Sequence, residues 1–381
     1  MTPLPKFVVP KFVVLYAAMY AAYGVASPFM PSLLASRGMT PDEIGLALGA
    51  ATAVRLVSAP LAGRIGDAMQ ALRVVLAISI ALGALATLGF FSARQFWTLF
   101  AVIVAHAATL APMTVLADAL AVGAANRPPR FEYGWVRGTG SAAFILATLA
   151  SGQAVSAVGL DSIVWAQALL LAVAAFAATR VPELVHQRGA APAGGVGLLA
   201  RLPAFRNLVL AAALVLGSHA MHDAFAVIRW TEAGIGAVTA SVLWSEAVAA
   251  EVIVFFLIGP ALVTRLTPAG AIAVAAAAGV LRWAVMAHTT EIVALALVQP
   301  LHGATFALLH LACMRVIARS VPDGLEGTAQ ALYATVGVGA ATALLTALSG
   351  GLFARFGPQA FWFMAVLCAC AWPLAWRLRG A

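Results

Sequence analysis

The stretch Val74–Phe91, VVLAISIALGALATLGFF, runs without a single charge between Arg73 and Arg94. Wound as an α-helix with a rise of about 1.5 Å per residue, it covers nearly the roughly 30 Å thickness of a bilayer core. Ile163–Thr179 is a second such run. The chain as a whole is 63% hydrophobic and only 9% charged, with a mean hydropathy of +0.99, whereas a soluble domain carries about 25% charged residues. The reading is an all-α membrane protein that crosses the bilayer many times. Phe12–Leu34 is too long and too aromatic for a cleaved signal peptide and is read as a retained helix. Cys313, Cys368 and Cys370 all lie in apolar segments, which argues for buried thiols and against a disulfide framework.

Cutting at charge and Gly/Pro clusters gives about twelve spans, roughly 10–36, 42–62, 72–91, 95–122, 133–155, 161–180, 207–229, 237–259, 269–288, 291–316, 328–353 and 360–376. Thr40-Pro41-Asp42-Glu43 opens the second as a capping box with proline at the first helical position. The net charge is +8, but the basic residues are scattered through short loops, so they point to topology and not to nucleic acid. One alternating set of loops holds Lys6, Lys11, Arg64, Arg73, Arg127, Arg130, Arg180, Arg188, Arg201, Arg206, Arg265, Arg315, Arg319, Arg377 and Arg379. The other holds Arg37, Arg94, Arg229 and Arg355. The positive-inside rule then places both termini in the cytoplasm. The polar, Gly/Pro-rich loop 185–206 divides the chain into halves 1–184 and 207–381 with six spans each.

The halves look duplicated. His106-Ala107-Ala108-Thr109 matches His302-Gly303-Ala304-Thr305, and Arg137-Gly138-Thr139-Gly140-Ser141-Ala142 matches Val336-Gly337-Val338-Gly339-Ala340-Ala341 at nearly the same offset. Leu146, Leu149 and Gly152 continue the register onto Leu345, Leu348 and Gly351. A parallel six-helix repeat is the architecture of major facilitator transporters.

Several motifs carry a closer resemblance: Ser27-Pro28-Phe29-Met30-Pro31, Gly38, Ile44-Gly45, Arg55 with Pro60-Leu61, and Tyr133-Gly134-Trp135-Val136-Arg137. In the second half these are Ser218-His219-Ala220, Leu243-Trp244, Ala250-Glu251-Val252, Gln299-Pro300-Leu301-His302 and Ala329-Gln330. In these the sequence resembles the major facilitator superfamily, and within it the phenylpropionate permease branch related to the lactose permease group. The resemblance implies two pseudo-symmetric six-helix bundles and proton-coupled transport of a small organic solute across a bacterial inner membrane. The loop Gly63-Arg64-Ile65-Gly66-Asp67 keeps the acid of the superfamily signature, and Arg73 supplies a later base. Ala68 and Gln70 stand where that signature has a base and a glycine.

Ionisable groups inside the spans mark the candidate site, because charge within a bilayer is costly and usually functional. His219, His222 and Asp223 share one helix face at spacings i, i+3 and i+4. No further ligand completes a metal set, so no metal or other cofactor is expected; the trio either faces a wet cavity or serves structural hydrogen bonds. Glu251 lies as far beyond Gly234 as Arg55 lies beyond Gly38, and is either a proton carrier or half of a static ion pair. Gln299, His302, Phe306, His310 and Cys313 follow one helical stripe. Arg282 and His302 resemble the arginine and histidine of the lactose permease coupling region, but the carboxylate that follows that histidine is missing here. The proton would then ride on Glu251, Asp223, His302 or His219. The expected substrate contacts are Arg55, Arg282, Tyr20, Tyr23, His222, Gln299 and Phe306, with Tyr16, Tyr20, Tyr23 and Ser27 forming either a packing stripe or an aromatic platform. Asp67 and Arg73 of the signature loop, and Asp118 with Arg137, are the candidate gating groups, although the lactose permease resemblance equally implies a substrate role for Asp118 and Arg137.

The expected function is a proton-coupled symporter importing an aromatic carboxylate or a sugar-like solute. An efflux antiporter is the alternative, and an intramembrane enzyme or a solute sensor is a weaker one, since Ser218 and His219 diverge by about 100° on a helix. The expected partners are the small-molecule substrate, the proton and the lipid bilayer, for a monomer that binds no nucleic acid.

Overall fold

A computed structural model of the chain describes residues 8–128, 130–183 and 195–379, which form helices with no strand among them. Spans α1 to α7 are Val8–Ala26, Pro41–Met69, Leu72–Ser92, Phe96–Ala125, Tyr133–Val158, Asp161–Ala178 and Pro203–Glu232. Two later stretches, Ala237–His288 and Glu326–Arg377, each run 52 residues without a loop. Unbroken, each would extend about 78 Å, far beyond a bilayer core. Both break at a single left-handed residue. Thr267 (φ 60°, ψ 159°), followed by Pro268, separates α8 (237–266) from α9 (268–288). Gly357 (φ 54°) separates α11 (326–356) from α12 (Phe361–Arg377), with α10 (Ile292–Ser320) between the two pairs. The expected twelve spans are therefore present.

Boundaries depart from expectation where prolines and glycines were given too much weight. Helix α2 runs on through Pro60 and Gly63 to Met69, because one glycine costs a helix only about 1 kcal/mol. Helix α8 passes Pro260 by widening into a π-helical turn at Val254–Ile258, the kind of adjustment that absorbs a proline ring. The capping box forms as read: the Thr40 amide donates to Glu43 Oε2 at 2.8 Å and the Glu43 amide to Thr40 Oγ1 at 3.4 Å. The duplication also reappears in the backbone. Gly38 before α2 and Gly234 before α8 have φ of 87° and 85°, while Gly159 before α6 and Gly357 before α12 are likewise left-handed.

By contacts the chain falls into two compact units. The first comprises Met1–Met39, Ala53–Arg188 and Gly236–Val242. In it α1 packs along α5 and α6, and α3 packs on α6 and α4, around Phe12, Leu76, Ile80, Met113, Leu120 and Leu171. The α1–α5 crossing is close because Gly24 has no side chain: a Cβ there would strike the carbonyl of Phe144. Thr148 Oγ1 on α5 donates to the Gly24 carbonyl oxygen at 2.9 Å, a small-residue contact of the kind that joins helices in lipid. Ser241, at the start of α8, lies against Gly152.

The second unit comprises Thr40–Thr52, Gly189–Ile235 and Leu243–Ala381. Here α9 packs along α12, α7 packs on α12, and Gly45 and Gly49 of α2 meet Gly350 and Ala347 of α11. Three helices of this unit contain π-helical segments, Val254–Ile258 in α8, Gly303–Leu308 in α10 and Tyr333–Ala340 in α11. The divide expected at 184/185 lies outside the described residues.

The Gly24 contact gives a test of the first unit. Replacement by alanine overpacks the crossing and is expected to cost about 1–3 kcal/mol, read as a lowered melting temperature in detergent. Alanine at the uncrowded Gly138, inside α5, is expected to raise the melting temperature slightly, since it removes a glycine's helix cost without a clash.

Candidate functional site

The densest polar cluster of the second unit centres on Arg282 of α9, which is 0% exposed. Its Nη1 donates to His302 Nδ1 at 3.1 Å. Its Nη2 donates to Gln299 Oε1 at 2.7 Å and to His222 Nε2 at 3.3 Å, and the guanidinium also lies 4.6 Å from the Trp283 ring centre. Its Nε has no hydrogen-bond partner among the described residues. Because a guanidinium only donates, both imidazoles must accept on the nitrogen that faces it. Each therefore stands as a neutral ring with its proton on the opposite nitrogen. That opposite nitrogen meets a carboxylate in both cases: His222 Nδ1 to Asp223 Oδ1 at 3.2 Å, and His302 Nε2 to Glu251 Oε2 at 3.3 Å. One buried cation thus feeds two arms of imidazole and carboxylate. Asp223, with its side chain 57% exposed, and Glu251 at 25% are the more exposed ends.

The sequence explains how the helices deliver these groups. Gly303 follows His302 and lies where a Cβ would come 2.7 Å from the Ala250 carbonyl oxygen. That close approach sets α10 against α8 beside Glu251. Trp244 stacks on His222 at 5.0 Å and Phe306 on His302 at 5.6 Å, fixing both rings. His219, on the same α7 face as His222, donates through Nδ1 to the Leu216 carbonyl (3.1 Å) and meets Thr305 Oγ1 at Nε2 (2.9 Å). Ser218 turns away from this cluster and accepts from Trp283 Nε1 at 2.8 Å. Among the described residues no group of three or more His, Cys, Asp or Glu is arranged to hold a metal.

The first unit holds a second polar group. Asp118 Oδ1 accepts from Tyr16 at 2.5 Å and from Tyr133 at 2.8 Å. Arg137, the residue expected beside Asp118, instead lies 4.5 Å over the Tyr20 ring. Tyr23 donates to the Leu110 carbonyl at 3.2 Å, and Arg55 is exposed on α2 with its charge reaching Tyr23 and His106. The tyrosine stripe is therefore polar-tethered as well as packed. At the end of α2, Asp67 is exposed, while Arg73 is engaged elsewhere. Its guanidinium lies 3.7 Å from Glu183 and donates to the Val181 carbonyl at 3.3 Å. Both Glu183 carboxylate oxygens accept the Arg73 amide at 3.2 Å and so cap the start of α3.

The sequence reading missed Tyr133, Thr305, Trp244 and Glu183 as partners. Thr305 carried a signal as the last residue of the repeated His-x-Ala-Thr, and Tyr133 and Trp244 lay in the motifs of the family resemblance, while Glu183 carried none.

The pattern of the MFS_1 like family matches residues 11–364. The chain belongs to this major facilitator family. It is 32% identical over 362 residues to the probable 3-phenylpropionic acid transporter of Escherichia coli, spanning 92% of this chain and 93% of that protein. It is 25% identical over 366 residues to the maltose permease of Geobacillus stearothermophilus, spanning 95% and 91%. Among solved structures it is similar to the nucleoside transporter NupG, with a TM-score of 0.83 at 16% identity over 97% of this chain and 98% of that one. It also resembles a bacterial homolog of the human lysosomal transporter Spinster, with a TM-score of 0.72 at 14% identity over 98% and 96%; at such identities the likeness is one of fold. The major facilitator chain is thus a multi-pass transporter of small molecules, and not an enzyme.

Removing the buried cation strands the groups around it. Arg282→Gln is expected to cost about 3–5 kcal/mol of stability, measured by thermal unfolding in detergent. Arg282→Lys is expected to recover only part of this, because an ammonium radiates its donors from one point and cannot span two rings and an amide.

Proposed function

We propose that the protein is a proton-coupled symporter importing a small aromatic carboxylate across a bacterial cytoplasmic membrane by alternating access. The observation that carries this reading is the two-armed arrangement around Arg282. A proton arriving on His302 Nδ1 or His222 Nε2 would set N–H against N–H and expel the guanidinium arm that donated there. The released arm then has donors to spare, and a substrate carboxylate is the acceptor that matches them in the paired geometry guanidinium favours. Proton and anion therefore bind together, and the pair moves with less net charge than the anion alone. Return of the proton to the far side restores the imidazole as acceptor, and the substrate loses its place. Arg282 is closed to solvent in the present arrangement, so protonation and exposure of the binding cation are one event.

This chemistry favours an acid over a sugar, since an uncharged sugar gives a freed guanidinium nothing to neutralise. The named activity of the Escherichia coli relative, transport of 3-phenylpropionic acid, fits the same choice, and Trp244, Phe306 and the Tyr20–Tyr23 pair offer ring surfaces. His219 and Gln299 support the arms, and Arg55 is the candidate second anion contact. Asp118 with its tyrosines, Arg137, Asp67 and Arg73 remain the candidate gating groups. The excess of basic residues in alternate loops supports a cytoplasmic location for both termini, and the expected working form is a monomer.

The test is uptake of radiolabelled 3-phenylpropionate into proteoliposomes. An inward proton gradient is expected to drive accumulation, with alkalinisation outside and loss of accumulation on adding a protonophore. Unlabelled maltose should not compete. Uptake that is indifferent to the pH gradient would overturn the coupling, and competition by maltose alone would overturn the substrate class.

A further inference from the structure

Eight residues beyond His302 on α10 lies His310, a half-buried histidine that the arms around Arg282 do not use. Its Nδ1 is 3.2 Å from the Tyr333 hydroxyl on α11, and Cys313, one turn further along α10, interacts with the same phenol. Toward α8, the ring of His310 meets Phe255 edge-on at 5.8 Å. Phe255 stands one helical turn from Glu251, whose charge reaches His310. Phe306 fills the level between the two histidines, stacking on His302 and meeting Phe255 at 6.2 Å. The titratable groups facing His310 are thus Glu251 from α8, Tyr333 from α11 and Cys313 from its own helix.

Two features of the backbone make this alignment deliberate. In a regular α-helix a residue eight positions on has drifted about 80° around the axis. The π-helical turn at Gly303–Leu308 takes up part of that drift and keeps His302 and His310 toward α8. A second π-helical segment begins at Tyr333 itself. Such turns are rare and gather at functional positions.

We propose that His310, oriented by Tyr333, is a second station for the proton carried by Glu251, on the side of the unit where α10 ends and α11 begins. This rests on the proton-coupled reading given above. In the tautomer where His310 Nδ1–H donates to Tyr333 and the Tyr333 hydroxyl turns to Cys313, His310 Nε2 holds a lone pair. When the Glu251 side chain swings by about one turn away from His302, its carboxyl O–H bond breaks and an N–H bond forms at that lone pair. Glu251 leaves as a carboxylate and returns to His302. The imidazolium then releases its proton toward the 321–325 loop. Without His310, the proton on the carboxyl of Glu251 loses this acceptor, and net transport slows although the substrate site is intact.

The experiment separates these steps in proteoliposomes carrying wild type, His310→Gln or Tyr333→Phe, with 3-phenylpropionate as the probe. Counterflow exchange needs the substrate site but no net proton release, whereas gradient-driven uptake needs both. For His310→Gln, gradient-driven uptake is expected to fall by about a hundredfold, with counterflow and its KM unchanged. Tyr333→Phe should show a smaller loss of the same kind. If wild type shows no gradient dependence, the symport reading itself fails. If wild type is coupled and both variants keep gradient-driven uptake, the station does not exist and the symport reading stands. Equal loss of counterflow and uptake in a variant with wild-type melting temperature would make His310 a substrate residue and overturn the proposal. Should His310→Gln not fold, Tyr333→Phe decides by the same split.

Discussion

A guanidinium with no exposure to solvent, inside a protein that lives in hydrocarbon, is the constraint on which the second unit depends. Burying a cation is costly unless its donors find acceptors and a counter-charge stands nearby. Arg282 meets the first condition at both Nη atoms, through Gln299, His222 and His302, while its Nε stays without a partner among the described residues. It meets the second at one remove, with neutral imidazoles interposed before Asp223 and Glu251. Direct ion pairs would have been tighter and less responsive. The interposed rings leave the carboxylates partly exposed and make the hold on Arg282 conditional on two imidazoles staying neutral.

Holding that geometry falls to small residues and aromatic rings. Gly303 lets α10 approach the α8 backbone at Ala250, and Trp244 and Phe306 clamp the imidazoles from their faces. The first unit relies on the same device at Gly24, where Thr148 adds a hydrogen bond to the close crossing. In lipid there is no hydrophobic gain from pressing helices together, so such close-approach points carry much of the specificity. The first unit uses phenols to restrain its acid, Tyr16 and Tyr133 on Asp118, in place of a salt bridge.

Much of this was legible in the chain. Apolar run length gave the spans, the Thr40–Glu43 box gave the start of α2, and the His-x-Ala-Thr pair revealed a repeat that the left-handed Gly38 and Gly234 repeat in the backbone. Arg282, His302 and Glu251 stood out because charge within apolar sequence is conspicuous. What stayed hidden was which helix face meets which. Asp118 looked paired with Arg137 because hairpin symmetry places them level, yet rotation of the helices gives the acid to Tyr16 and leaves Arg137 over Tyr20. Arg73 read as the basic residue of the signature loop, and its guanidinium lies against Glu183, a partner that no spacing announced. The π-helical turns were equally silent, since no residue type announces them. Rotations of tens of degrees decide contacts and leave no periodicity to read.

The corner at Thr267 has a consequence for how the two halves of the Arg282 arrangement respond to each other. Thr267 adopts a conformation that disfavours side chains, and the rigid ring of Pro268 follows at once, so no slack joins the eighth span to the ninth. Glu251 sits sixteen residues before that corner and Arg282 fifteen after it, or about 24 Å and 22 Å along their respective axes. A carboxylate and a cation mounted on two limbs of one stiff elbow, at about the same reach from its apex, stay level with each other when the limbs open symmetrically. Spreading the elbow then changes their separation without shearing one past the other.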